Sequence, residues 1–156
     1  MIGAITFAVT GGLALAAVLQ YWLGSFEGSY LGNAGVIALS IAAISLTLLG
    51  LEWLLGTAGL ALGGAVMMLL GNPLSGMTSA PEMLPSGWGT LGQLLPPGAA
   101  GTALRSVSFF DGAGIGRPLV VLGCWLLAGL LFCGLGTLRG RRRAVPARHE
   151  ARAVAA

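Results

Sequence analysis

From Met1 to Leu23 the chain carries no charged side chain, and this constrains the fold more than any other feature. A run this long and this apolar belongs in hydrocarbon. No water is present there to bond backbone amides, so the segment must satisfy them itself as a helix. About 22 residues rising roughly 1.5 Å each cover the roughly 30 Å hydrocarbon core of a bilayer. Ala4, Ala8, Gly12 and Ala16 recur every four residues, which places small side chains along one helix face and lets a neighbouring helix come close. Tyr21 and Trp22 close the run as an interfacial aromatic pair.

Three more apolar runs follow, so the expected spans are about 2–23, 35–51, 54–71 and 118–138. Only 8% of residues are charged and mean hydropathy is +0.89, against about 25% charged in soluble domains. The fold class is therefore an all-α integral membrane protein with four transmembrane helices, and residues 1–138 form one polytopic membrane domain. Between the first two spans, GSFEGSYLGN (24–33) reads as a short turn. Glu52 and Trp53 mark a tight connection before the third span. That span has Gly59 and Gly63 in G-x-x-x-G spacing, and its shortness suggests either a thin span or a break near Gly63 and Gly64. Ser40, Ser45 and Thr47 can bond back to their own helix. Pro118 opens the last span, where its missing N–H costs least.

Between the third and fourth spans lies a segment of another kind, residues 72–117. With Pro118 it holds six of the seven prolines, and it contains both arginines that precede the tail, Arg105 and Arg117. Proline lacks a donor and clashes with the preceding helical turn, so no spanning helix runs through it. Yet Met77, Met83, Leu91, Leu94, Leu95, Leu104, Val107 and Phe109 make it too apolar for a solvated loop. The pattern predicts short helices at or dipping into the bilayer surface, a re-entrant or interfacial hairpin cornered by Pro85, Trp88, Pro96 and Pro97.

All eight basic residues are arginine, and six lie between Arg139 and Arg152. This basic tail, 139–156, whose remainder AVPARHEARAVAA (144–156) is small and polar enough to be disordered, places the C-terminus in the cytoplasm by the positive-inside rule. Four spans then put the N-terminus on the same side and the 72–117 segment outside. The expected location is a bacterial plasma membrane, crossed several times. The net charge of +3 describes a tail rather than a folded basic face, which argues against nucleic acid as a partner and leaves the lipid bilayer as the certain one.

No constellation for catalysis stands out, and the chain is not expected to be an enzyme. His149, the only histidine, sits in the tail, and there is no lysine for a phosphate loop. Cys124 and Cys133 lie nine residues apart on one helix, half a turn out of phase, so they do not pair and hold no metal. No cofactor is implied. Glu52 reads as an interfacial charge or a contact to a cytoplasmic partner. Glu82 and Arg105 either pair across the external segment or stand as solvated singles. Trp88 fits an interfacial anchor, and Asp111 before Gly112 a turn.

The order of these parts carries a resemblance. Three spans are followed by Asn72-Pro73-Leu74-Ser75-Gly76, Met83 to Trp88, Leu95 to Ala99 and Ser106 to Gly112, then by one span and a basic tail. This resembles the C-terminal half of an ABC-2 type permease, and is most similar to the YhgE/Pip group, over about Leu31 to Leu138. The resemblance implies a permease half of an export system without chemistry of its own. It implies a second permease unit, identical or not, and a separate ATPase as partners. Pro85, Trp88, Pro96, Pro97 and Arg105 would then form a gating re-entrant segment, and Ala8, Gly12, Gly59 and Gly63 would pack helices. Compared with a whole permease the chain lacks two spans and a large extracellular region, so a truncated or split unit is expected. The alternative from another class is a non-transporting membrane scaffold of a secretion or phage-receptor assembly.

Overall fold

The second apolar helix organises the others. The computed structural model describes residues 2–77, 83 and 87–154, with side chains as far as residue 139. Its helices are α1 (Ile2–Ala17), α2 (Tyr30–Leu55), α3 (Thr57–Ala65), α4 (Asn72–Leu74), α5 (Trp88–Gln93), α6 (Pro96–Phe109) and α7 (Gly116–Val154). No strand occurs among the described residues. Four stretches are long and apolar enough to cross a membrane: Ile2–Trp22, Tyr30–Leu55, Thr57–Leu74 and Gly116–Arg139. The α2 stretch is 44% buried against 17–28% for the other three, which makes α2 the central rod with α1, α3, α6 and α7 packed on it.

Local chemistry sets the ends of α2, and they fall outside the expected 35–51. Ser29 adopts an extended conformation and its side chain accepts the Gly32 N–H at 3.3 Å, capping the first turn. The helix therefore starts at Tyr30, so the last residues of the predicted 24–33 turn, Asn33 included, belong to α2. At the other end Glu52 and Trp53 remain helical, and the connection to α3 is the single residue Gly56. Its φ of 75° is open to glycine and strained for other residues. The chain reverses there, with the Gly56 N–H on the Glu52 carbonyl.

The third span is continuous through Gly63 and Gly64, contrary to the break expected there. Its irregularity lies further on, where Val66–Gly71 winds as a π-helix and the Asn72 N–H reaches back to the Met67 carbonyl. Pro73 supplies the reason. Its ring would collide with the carbonyl four residues earlier in an α-helix and cannot bond to it, and a wider turn relieves both problems. A second π turn, Val18–Trp22, ends the first span. Past Arg139, α7 continues through the arginine-rich sequence to Val154, where an unstructured tail was expected. Alanine and arginine are both strong helix formers, which accounts for the continuation.

Small residues set the packing distances. Ala8, Gly12 and Ala16 are the buried positions of α1. A β-carbon at Gly12 would stand 2.7 Å from the Ala34 carbonyl oxygen and from the Ala38 Cβ of α2. In α3, Gly59 lies against the backbone of Leu51, and Gly63 against the Leu48 and Leu51 side chains. The most extensive seam joins α2 to α7, which run in the same direction. Gly129 abuts the Leu46–Thr47 backbone, Gly50 meets Phe132, and Gly136 meets Trp53. The Thr47 hydroxyl crosses the seam to the Trp125 carbonyl at 3.1 Å. In the absence of a hydrophobic drive between spans, this fit is what holds them together.

The seam can be tested by size alone. A β-carbon at Gly129 would lie 2.6 Å from the Leu46 carbonyl carbon, whereas one at Gly123 meets nothing within 4 Å. Gly129→Ala is expected to destabilise the folded chain by about 1–3 kcal/mol. Gly123→Ala should be neutral or slightly stabilising. Titration with a denaturing detergent, read by circular dichroism, distinguishes the two.

Candidate functional site

The segment between the third span and α7 forms the least ordinary part of the molecule, and its chemistry begins with two prolines. Pro96 and Pro97 occupy the first positions of α6, where no N–H is required. They force Leu95 before them into an extended conformation, φ −91° and ψ 148°, and this makes the sharp corner after α5. Pro96 is fully buried, and the Pro97 ring packs against Gly71 in the π turn of the third span.

Beyond that corner α6 stands along α2. Ala99, in its first turns, joins Ala43 of α2 and Leu122 of α7 in one buried cluster. Leu104 packs on the Ala16, Ala34 and Ile37 cluster. Near its end, Val107 and Ser108 meet Gly28, Gly32 and Asn33. The helix thus runs from beside the midpoint of α2 to beside its beginning, covering only half of it. Gly92 and Gly98 permit the corner below to close. Gly92 lies on the Leu74 carbonyl and Gly98 on the Gly92 carbonyl, so closely that no side chain fits at either.

Two sets of hydrogen bonds hold the insert. In the first, Asn33 is fully buried; its Nδ2 donates to Gln20 Oε1 at 3.3 Å and to the Glu27 carbonyl at 3.0 Å. Its Oδ1 accepts from Ser108 Oγ at 2.9 Å. Gln20 Nε2 also donates to the Gly28 carbonyl at 3.0 Å. One amide thereby ties together the first span, the turn after it, α2 and the end of α6. In the second set, Thr102 Oγ1 donates to Gln93 Oε1 at 2.6 Å, and Gln93 Nε2 to the Ser75 carbonyl at 3.3 Å. Arg105 Nη2 donates to the Gly76 carbonyl at 2.6 Å. Trp125 of α7 fixes the corner from the far side, with Nε1 on the Leu94 carbonyl at 2.8 Å. No buried side-chain nitrogen or oxygen among the described residues lacks a partner.

Of the residues singled out in the sequence, Pro96, Pro97 and Arg105 come together in this insert. Trp88 opens α5 and is about half exposed, at 48%. Pro85 and Glu82 lie outside the described residues, and with them any Glu82–Arg105 pairing. Asp111 has φ 49° and sits in the turn before α7. Cys124 is exposed and Cys133 buried, both as free thiols. No grouping of three metal-binding side chains occurs among the described residues. Asn33, Ser108, Gln93, Thr102 and Trp125 were not anticipated. The available signal was an uncharged amide, Asn33, one helical turn inside an apolar run, with a second, Gln20, near the end of the preceding run.

The chain matches no protein-family model, no curated protein and no solved structure.

Replacing Asn33 with Leu removes the hub while keeping an apolar side chain of similar size. The expected loss is about 1–2 kcal/mol, the upper range for interhelical polar contacts in membranes. Ser108→Ala, which deletes one bond, should cost about 0.6 kcal/mol. Hydrogen exchange should rise first at the end of α6. Protection there equal to wild type in Asn33→Leu would remove the hub role.

Proposed function

We propose that the chain is the membrane-embedded permease half of an export system of the ABC-2/YhgE-Pip kind, without intrinsic catalysis. The observation that carries this reading is the half-length helix α6, entered through the Leu95–Pro97 corner beside the midpoint of α2 and beside Leu122 and Trp125 of α7. It supports a hairpin of α5 and α6 that dips into the bilayer from the outer side and closes the outer end of a path. The sequence order of three spans, proline-cornered insert, final span and basic extension supports the same reading. Transport would use rearrangement of helices against one another, driven by an ATPase partner and completed by a second permease unit. The arginines in the last part of α7, from Arg139 on, orient both termini toward the cytoplasm of a bacterial plasma membrane.

Inverted membrane vesicles from the native host test the activity. ATP-dependent uptake of amphipathic dyes is expected in vesicles with the chain and absent from those without it. Gly98→Leu should lower uptake about tenfold, equivalent to roughly 1.4 kcal/mol on a transport barrier. Unchanged uptake together with loss of a large native complex on deletion would instead select the scaffold role. Orientation has its own measurement. In a cysteine-free background, a membrane-impermeant maleimide added to whole cells should label Ser25→Cys and Asp111→Cys but not Ala156→Cys.

A further inference from the structure

Where α2 and the last span both end, their termini and the start of α3 enclose a pocket of about 390 Å³. Glu52, Trp53, Leu55, Gly56, Gly136 and Arg139 line it. The two spans leave the apolar part of the bilayer at this level, so the pocket opens where lipid headgroups lie. Two opposite charges line it, Glu52 and Arg139. Arg139 Nη1 donates to the Leu54 carbonyl at 3.4 Å, a long contact. The Trp53 ring, 42% exposed, provides an amphipathic edge of the kind enriched at this depth. Leu55 supplies an apolar wall, and Gly136 lets the last span come up close against Trp53.

We infer that this pocket binds the headgroup of a zwitterionic phospholipid bearing a primary ammonium, a phosphatidylethanolamine. Arg139 takes the phosphate, for which its planar guanidinium is well shaped. Glu52 takes the ammonium through charge-assisted hydrogen bonds. Among the described residues, one carboxylate and one guanidinium line the pocket, matching a headgroup that carries one charge of each sign. A purely anionic headgroup would satisfy Arg139 and leave Glu52 facing like charge. A quaternary ammonium would keep the charge and lose every N–H donor. The site requires the four spans and not the permease role.

Full-length chain is purified from vesicles containing equal amounts of phosphatidylethanolamine, phosphatidylcholine and phosphatidylglycerol, and retained lipid is quantified by mass spectrometry. Retention of phosphatidylethanolamine about tenfold above either competitor is expected, since each competitor lacks a charge-assisted contact. Wild-type protein alone gives a second measurement. Across the series from unmethylated to mono-, di- and trimethylated ethanolamine lipid, retention should fall stepwise as N–H donors are removed. Glu52→Gln should erase the preference over phosphatidylglycerol, and Arg139→Gln should lower retention of all three. Equal retention of the methylated series, or preference for phosphatidylglycerol in the wild-type chain, would overturn the assignment. The first outcome would leave general lipid contact and the second simple attraction to the arginines in the last part of α7.

Discussion

Everything in this molecule follows from one constraint: a polar group taken out of water must find its partner inside the protein. For the four long helices the requirement is met locally, by the helix itself. For the insert between the third span and α7 it is not. The Leu94 carbonyl at the corner needs a partner from outside, α6 begins with two prolines, and α4 stops after one turn. The structure meets that demand with Trp125, Gln93, Arg105 and Asn33, each reaching from one element to the exposed backbone or amide of another. These contacts fix where the insert can sit, and the small residues fix how close it can come.

Small residues act in two ways that should not be merged. Along α1 and α3 they recur every four positions and form a face, as at Ala8, Gly12 and Ala16. In the insert they are single points of backbone contact. Gly92 and Gly98 stack one carbonyl on the next with no room for a side chain. The first kind is tolerant of register and gives a common packing mode. The second has no alternative arrangement, and it is what allows α5 and α6 to fold back on one another within a few residues.

The spans were legible because charge-free length is a sufficient signal. Their ends were less so. Glu52 and Trp53 look like a boundary in a hydropathy profile, but a charged residue in the last turn of a helix can reach water while its backbone stays helical. The true boundary at Gly56 is a matter of backbone conformation. The π turn before Pro73 was displaced from the expected break at Gly63 for a similar reason: glycine permits irregularity, whereas proline compels it. The corner at Pro96 and Pro97 was readable from residue type. The hub at Asn33 was not, because its partners Gln20 and Ser108 lie 13 and 75 residues away, a separation that no local pattern encodes. Nor did spacing mark the α7 seam, since Gly129, Cys133 and Gly136 are interrupted by larger residues until the helix winds them onto one face.

The parallel pairing of α2 with α7 governs how the protein can be made. Neighbours that run in the same direction cannot be joined by a short loop, and here the partner of the central helix is the last of the four spans to leave the ribosome. Until then Gly50 and the Thr47 hydroxyl face lipid or a chaperone, and Ala43 lacks Leu122 beside it. A nascent chain cut off before α7 is therefore a set of inserted helices with one raw flank. Arrival of the fourth span seals that flank, so the pairing of the central helix is settled in a single late docking event.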